Sequence, residues 1–101
     1  MIPLGRMSLR FKWDPKKAKT NLAKHHVSFE DASTVFADPL ARIFSDEEHS
    51  VNELREIIIG RSRERQLILV SFTAPVNEVR IISARRATRR ERKDYEENIG
   101  T

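Results

Sequence analysis

Residues 57–84, IIIGRSRERQLILVSFTAPVNEVRIISA, decide the fold because they alternate apolar segments with polar turns. The apolar segments lie at 57–59, 67–72 and 79–84. Short runs of this kind, rich in Ile and Val and bounded by turn residues, are typical of buried strands. Pro75 and Asn77 favour a turn before the last segment. The stretch therefore predicts two successive hairpins, which together form an antiparallel meander.

Two helices are predicted upstream of this meander. Asp14 is a good N-cap and Pro15 suits the first helical position, so a first helix should run to about Lys24. Ser28, with an acid three residues later, resembles a capping box and begins a second helix. The Asp-Pro pair at 38–39 ends that second helix, because the residue before a proline disfavours helical backbone angles.

The rest of the chain completes an α+β pattern. Short strands are predicted around Phe11 and at 40–44, and an exposed acidic loop at 45–52. Thr88, with Glu91 three residues later, begins a C-terminal helix through another capping box. The element order is β-α-α-β-β-β-β-α. We therefore expect an antiparallel β-meander packed against two N-terminal helices and one C-terminal helix, which is α+β rather than alternating α/β.

Length and composition indicate one globular domain. Of 101 residues, 39% are hydrophobic and 34% charged, so the chain can bury one modest core and is not disordered. We expect the domain to span 10–99 and residues 1–9 to form a disordered extension. The lack of cysteine excludes disulfides, thiolate metal sites and a cysteine nucleophile. No segment resembles a signal peptide or approaches the roughly 20 apolar residues of a membrane span, so a cytoplasmic protein is expected.

Arginine side chains crowd the junction between the last predicted strand and the last predicted helix. The net charge is +4, which favours a polyanionic partner. The exposed amides of a helix N-terminus bind anions, and the planar guanidinium group grips phosphate oxygens in pairs. The turn before the central strand adds further arginines. The candidates for contact with RNA are Arg61, Arg63, Arg65, Arg86, Arg89 and Arg90.

A simpler explanation exists for some of these residues. Arginines at a helix start commonly form a solvated face with salt bridges, and acidic residues at 91–97 are available as partners. Arg80 and Arg85 are less easily explained in this way, because each lies among apolar residues on a predicted strand. Tyr95, the chain's one tyrosine, fits either packing between helix and sheet or a hydroxyl near a bound phosphate.

The three histidines do not predict a metal site. His25 and His26 are adjacent, so on a helix their side chains would diverge by about 100° and could not easily share an ion. A His-x-x-x-His pair, a glycine-rich phosphate loop and a zinc motif are all missing from the sequence. We therefore predict neither a metal nor a cofactor.

An ordered set of short motifs resembles the BrnT family of toxins. They are Trp13-Asp14, Asn21, Lys24-His25, Val27-Ser28-Phe29, Phe36-x-Asp38-Pro39, Gly60-x-Ser62, RIISARRAT at 80–88, Glu91 and Tyr95-Glu96. Together they span most of residues 11–97. One position departs from the pattern: His26 follows the Lys-His pair where family members commonly have Gly. Glycine usually ends a helix in the left-handed conformation, so the local geometry there is in question.

The resemblance implies a RelE-like fold and RNA cleavage that inhibits translation. It also implies neutralisation by a BrnA-like ribbon-helix-helix antitoxin, with operator DNA bound only through the toxin–antitoxin complex. RNA can be cleaved without metal, because its own 2′-hydroxyl can attack the adjacent phosphate. On this resemblance, Arg80 and Arg85 form a phosphate clamp on the last strand. Glu56 and His49, the latter in the acidic loop, are the candidates for the base, although Glu56 fits a cross-strand salt bridge equally well. Tyr95 is the candidate for orienting the substrate or supplying a proton.

Two other interpretations use the same residues. A non-catalytic nucleic-acid-binding module would hold RNA or DNA through the arginines without cutting it. A degenerate toxin would keep only its contact with the antitoxin. An edge strand, the exposed side of the N-terminal helices and the acidic residues at 46–48 are equally suitable surfaces for that contact.

Overall fold

The computed structural model describes residues 9–49 and 53–99. Most of the predicted N-terminal extension, residues 1–8, lies outside the described residues. In chain order the elements are β1 (Phe11–Lys12), α1 (Pro15–His25), α2 (Phe29–Ser33), a 3-10 turn (Thr34–Ala37), β2 (Arg42–Ser45), a second 3-10 turn (Glu47–His49), β3 (Arg55–Arg61), β4 (Leu67–Thr73), β5 (Val79–Arg86) and α3 (Arg89–Ile99). The predicted order of strands and helices is confirmed, and the fold is α+β.

The five strands form one mixed sheet in the order β1-β5-β4-β3-β2. The predicted meander corresponds to β3 through β5, and β2 extends it, with each strand antiparallel to the next. The short strand predicted around Phe11 had no assigned partner; it is β1, which runs parallel to β5 with Phe11 opposite Val79. No short turn links these two strands, so local sequence does not set their relative direction.

The capping residues act as predicted, with one shorter helix. The Asp14 carboxylate accepts a hydrogen bond from the amide of Lys16 at 2.8 Å, and the Ser28 hydroxyl accepts one from the amide of Asp31 at 3.0 Å. The second helix was predicted to continue to the Asp-Pro pair, but α2 ends at Ser33 and the chain tightens into the 3-10 turn. His26 ends α1 in the left-handed conformation, with φ 58°. It therefore takes the backbone shape that glycine usually provides.

The main core lies between one face of the sheet and the N-terminal helices. Its fully or almost fully buried apolar residues are Val27, Phe29, Ala32, Val35, Ile58, Ile68, Val70, Phe72, Val79, Ile81 and Ala84. Phe36 links this core to the strands through edge-to-face ring contacts with Phe11 and Phe72. Because these residues alternate along the strands, every second side chain of β3, β4 and β5 is left for the opposite face.

The side chain of Asn21 takes the place of a neighbouring strand along β5. Its amide nitrogen donates to the carbonyl of Ala84 at 2.8 Å, and its amide oxygen accepts from the amide of Ala84 at 3.1 Å. The same nitrogen donates to the carbonyl of Val27 at 3.0 Å. Asn21 is 6% exposed, so these bonds satisfy backbone groups that would otherwise be buried unpaired. They fix α1 against the edge of the sheet.

A β-bulge in β5 changes which side chains share a face. Ser71 of β4 lies opposite Ser83, but Phe72 lies opposite Ile81, so Ile82 is an extra residue. Arg80 and Arg85 are five positions apart, and in a regular strand they would point to opposite faces. The bulge restores them to the same face. This face is the one opposite the main core, because Arg85 lies across from Leu69 rather than from a core residue.

Asp38 connects β3, the segment before β2, and α3. Its carboxylate accepts hydrogen bonds from the amide of Arg61 at 2.7 Å, the amide of Leu40 at 2.9 Å and the hydroxyl of Tyr95 at 2.7 Å. Partial burial disfavours the charged form, but the bonds from Arg61 and Tyr95 outweigh it and lower the pKa of Asp38 below its ordinary value. Gly60 makes room for this arrangement. A Cβ there would lie 3.0 Å from the Asp38 carboxylate and 2.9 Å from Ala41 Cβ.

Candidate active site

The face of the sheet opposite the main core is covered by α3 at one end. Tyr95 packs there on Ile59, Leu67 and Leu69, and all four side chains are less than 9% exposed. The strand register places further side chains on this same face of the sheet, beyond the part that α3 covers. We call this part the open face, and its side chains are Arg42, Phe44, Arg55, Ile57, Ser71, Arg80, Ser83 and Arg85.

The open face is basic because three strands each contribute arginine to it. Arg42 is on β2, Arg55 on β3, and Arg80 and Arg85 on β5. Arg42 and Arg55 were missed by sequence reasoning. Their alternation with apolar neighbours was a signal, but only the strand register shows that they share a face with Arg80. A surface of this kind attracts the phosphates of a nucleic acid.

Arg80 is half exposed at the end of the open face farthest from α3. Its guanidinium group lies 3.2 Å from the carboxylate of Glu78, and its side chain is 53% exposed. Lys12 of β1 lies 3.3 Å from the same carboxylate. Glu78 therefore holds two cations beside each other, and both keep enough exposed surface to meet a second anion.

Arg80 and Arg85 occupy separate positions on the open face. Their partners on β4 are Thr73 and Leu69, four residues apart, which corresponds to about 13 Å along the strand. Their acidic partners also differ, because Arg85 binds Glu91 rather than Glu78. The two arginines therefore start from separate points of the open face and do not share an acidic partner.

Arg85 is held by a two-pronged ion pair. Its two terminal nitrogens donate to the two carboxylate oxygens of Glu91 at 2.8 and 2.9 Å. Glu91 also accepts from the amide of Thr88 at 2.8 Å, while the Thr88 hydroxyl accepts from the amide of Glu91 at 3.2 Å. This is the predicted capping box. The hydrogen bonds from Arg85 lower the pKa of Glu91 to about 2, and the bonds to Glu91 raise the pKa of Arg85.

Glu91 should make the stability of the fold depend on pH. Its folded-state pKa of about 2 lies below the ordinary value of 4.5, so its contribution is complete above about pH 4.5 and is lost as the pH falls towards 2. The Arg85 side chain is 43% exposed, so solvent screening limits the effect to about 1–2 kcal/mol. Urea unfolding measured across this pH range should show a shallower fall for Glu91→Gln than for the unchanged protein.

A matched control is available on the same helix. Glu97 is 64% exposed and lies 4.0 Å from Lys93, so Glu97→Gln should leave the pH dependence unchanged. If Glu91→Gln and the unchanged protein lose stability equally between these pH values, the ion pair with Arg85 contributes nothing to the fold.

The two candidate bases lie in different places. Glu56 is two residues before Ile58 on β3, so the two side chains lie on the same face of the sheet, which is the main-core face. Arg80 and Arg85 lie on the opposite face. His49 is in the 3-10 turn after β2, with its Nδ1 3.0 Å from the carboxylate of Asp46. The amide of Asp46 bonds to the carbonyl of Arg55, in the cross-strand row that leads to Arg80. The turn carrying His49 is therefore at the same end of the sheet as Arg80.

Tyr95 is part of the packing between α3 and the sheet. Its side chain is 3% exposed and its hydroxyl donates to Asp38. Burial and this hydrogen bond raise the pKa of Tyr95 to about 12. In this arrangement the hydroxyl proton is committed to Asp38 and is held more tightly than in a free tyrosine.

The remaining candidate arginines lie at the α3 end of the sheet. Arg61, Arg63 and Arg65 belong to the hairpin between β3 and β4. That hairpin is fixed to the N-terminal helices by bonds from the amide of Arg63 to the Thr34 hydroxyl and from the amide of Glu64 to Asp31. Arg61 also lies 3.6 Å from Glu96 of α3. Arg86, Arg89 and Arg90 follow at the junction of β5 and α3 and are exposed.

Two further features bear on the kind of site. Within residues 9–49 and 53–99, no group of three or more His, Cys, Asp or Glu side chains is arranged to hold a metal ion. None of the helices in these ranges has the length and apolarity that a membrane span requires.

Comparison with known proteins decides the family. A family model described as the ribonuclease toxin BrnT of type II toxin-antitoxin systems matches residues 13–91. The chain belongs to the BrnT family. BrnT toxins are ribonucleases that act with an antitoxin, so this chain is a BrnT-type ribonuclease toxin with an antitoxin partner. No curated protein matches the chain significantly.

A solved structure supports the same assignment. The chain is similar to the ribonuclease toxin BrnT of Brucella abortus, with a TM-score of 0.64 and 26% sequence identity. The match covers 81% of this chain and 100% of the Brucella chain. The five-stranded mixed sheet with three α-helices is therefore a BrnT fold.

Several residues of the BrnT motif pattern make contacts that hold the fold of this chain together. Asn21 pairs with the edge of β5, Asp38 joins three segments, and Gly60 leaves room for Asp38. Ser62 accepts from the amide of Gln66 and closes the hairpin between β3 and β4. These contacts explain why an ordered set of short motifs identifies the fold. The same motif residues do not indicate which groups take part in RNA cleavage.

Proposed function

We propose that this BrnT chain cleaves single-stranded RNA laid across the open face, without a metal ion, in the manner of RelE-like toxins. The observation that carries the proposal is the row Arg55–Thr73–Arg80 across the end of the sheet farthest from α3, with the turn carrying His49 next to the Arg55 end of the row and Arg80 two strands further on. A phosphate near Arg80 would be within a basic environment on a rigid strand, which favours preorganised electrostatic stabilisation.

The chemistry needs few groups. The 2′-oxygen of the substrate attacks the adjacent phosphorus while the bond from phosphorus to the 5′-oxygen breaks. The products are a 2′,3′-cyclic phosphate and a free 5′-hydroxyl. A base takes the 2′-hydroxyl proton and an acid returns a proton to the 5′-oxygen. Negative charge builds on the phosphate oxygens in between, and guanidinium groups stabilise it there.

We assign these roles to residues as follows. Arg80 binds the scissile phosphate and Arg85 a neighbouring one, since different acidic partners hold them apart. His49 is the preferred base, because its turn lies at the Arg80 end of the sheet, and Glu56 is the second choice because it belongs to the other face. Tyr95 has a positioning role through Asp38. The exposed arginines at the α3 end, Arg86, Arg89 and Arg90, together with Arg61, Arg63 and Arg65, extend the RNA contact.

The cellular consequence follows from RNA cleavage. Loss of messenger RNA stops translation, and a BrnA-like ribbon-helix-helix antitoxin would neutralise the toxin and bring the complex to operator DNA. Support for an antitoxin comes from the type II family assignment.

The decisive experiment is cleavage of RNA by the purified chain in the presence of excess EDTA. We expect fragments ending in a 2′,3′-cyclic phosphate, and suppression of cleavage when a BrnA-like antitoxin is added. An RNA carrying 2′-O-methyl groups should bind but stay intact. RNA that binds with a steep salt dependence and is never cut would instead identify a binding module.

A further inference from the structure

A basic groove lies between α1 and the edge of β5, and it adjoins the open face at Ser83. Its volume is about 300 Å³. The side chains that matter for its chemistry are Lys16, Lys17, Thr20, Lys24, His25 and Ser83. The proposed cleavage reaction uses none of them.

The charge of this groove comes from one helix. The sequence of α1, PKKAKTNLAKH, has four lysines and no acidic residue. Lys16, Thr20 and Lys24 follow each other at intervals of four, so they form a stripe about 12 Å long on one side of the helix. Among the ion pairs found in residues 9–49 and 53–99, none involves Lys16, Lys17 or Lys24. Within these ranges their ammonium groups therefore form no close ion pair.

Ser83 connects the groove to the open face. It lines the groove, and it is also the cross-strand partner of Ser71 on the open face. On β5 it lies between Arg80 and Arg85. A strand of nucleic acid leaving the open face between these arginines would cross the edge of the sheet at Ser83 and meet the lysines of α1.

We propose that this groove is a second binding site for the RNA backbone, which holds the nucleotides flanking the cleaved phosphate. The proposal rests on the proposed ribonuclease function, since the same RNA occupies both surfaces. Ammonium groups act as point charges for phosphates, and the hydroxyls of Thr20 and Ser83 suit phosphate or ribose oxygens. Contacts of this kind strengthen binding without reading the base sequence.

The test compares two charge-matched triple variants. The groove variant is Lys16→Gln/Lys17→Gln/Lys24→Gln, and the control is Lys19→Gln/Arg92→Gln/Lys93→Gln, which removes three charges outside the groove. Affinity is measured against salt concentration for 2′-O-methyl RNAs of about 4 and about 16 nucleotides, a range that brackets typical single-strand sites. Circular dichroism and thermal unfolding check that both variants are folded.

We expect the groove variant to bind the longer RNA about 10- to 100-fold more weakly, with the slope of log affinity against log salt reduced by about 2. Its affinity for the short RNA, and its cleavage rate at saturating RNA, should match those of the control. Equal losses in the two variants would show a general charge effect and overturn the proposal. So would loss of antitoxin binding with full RNA binding, or tighter binding of duplex DNA than of single-stranded RNA.

The two proposals fail in different ways. If the unchanged protein never cuts RNA, the ribonuclease proposal fails, whereas the groove is still judged by the binding of the longer RNA. If cleavage is normal and the groove variant binds the longer RNA as well as the control does, only the groove proposal fails.

Discussion

Replacing Arg80 with Ala should lower the single-turnover rate of RNA cleavage by about 100- to 1000-fold, the usual effect of removing one preorganised donor to a developing charge. The variant should fold normally, because the side chain is 53% exposed and its ion pair with Glu78 is on the surface. Binding of a 2′-O-methyl RNA should weaken much less than the rate falls. Arg80→Lys should recover part of the rate, since it keeps the charge but not the paired donors.

Glu78 offers the matching control for Arg80. Glu78→Gln removes the carboxylate that lies 3.2 Å from Arg80 and 3.3 Å from Lys12, but leaves both cations in place. RNA affinity should stay the same or rise, and cleavage should persist. If Arg80→Ala cleaves RNA at the normal rate, Arg80 does not bind the scissile phosphate. If it loses binding and cleavage to the same extent, its role is anchoring of the RNA.

Asp38→Ala should produce the largest loss of stability, about 3–5 kcal/mol, which corresponds to roughly 15–30 °C in Tm for a domain of this size. The substitution removes the acceptor for Arg61, Leu40 and Tyr95 together. It leaves the Tyr95 hydroxyl buried without its partner. Urea unfolding measures the effect, and near-ultraviolet circular dichroism, to which Tyr95 and Trp13 both contribute, should show a changed aromatic environment.

Tyr95→Phe separates the two ways in which Tyr95 could act. The ring still packs on the sheet, so only the hydrogen bond to Asp38 is lost, at a cost of about 1 kcal/mol. The double variant Asp38→Ala/Tyr95→Phe should lose less free energy of unfolding than the sum of the two single losses, because each single substitution already removes the same hydrogen bond. Cleavage by folded Tyr95→Phe should remain within a few-fold of normal. A loss of 100-fold or more would make the hydroxyl catalytic, and fully additive losses would remove its coupling to Asp38.

Local patterns in the sequence predicted the elements well. Asp14, Ser28 and Thr88 each cap a helix as predicted, because a cap depends on residues within three positions of it. The meander followed from the apolar segments and their turns. The direction of β1 could not be predicted, since its pairing with β5 joins residues far apart in the chain.

The candidate site depended on register, which the sequence does not specify. Residues 79–86, VRIISARR, contain no glycine to mark the bulge at Ile82, so the shared face of Arg80 and Arg85 was not predictable. Glu56 and Arg55 are neighbours in the chain, but alternation puts them on opposite faces. Tyr95 was predicted either to pack or to act on phosphate, and its buried position fits the first description.

The pairing of Asn21 with Ala84 has a consequence for solubility during production of the toxin. An edge strand with bare amide and carbonyl groups is a template on which another chain can add a strand and start an aggregate. By occupying those groups with a side-chain amide, α1 closes this part of β5 to such recruitment. Asn21 thus blocks the addition of a strand at Ala84, in addition to holding a helix in place.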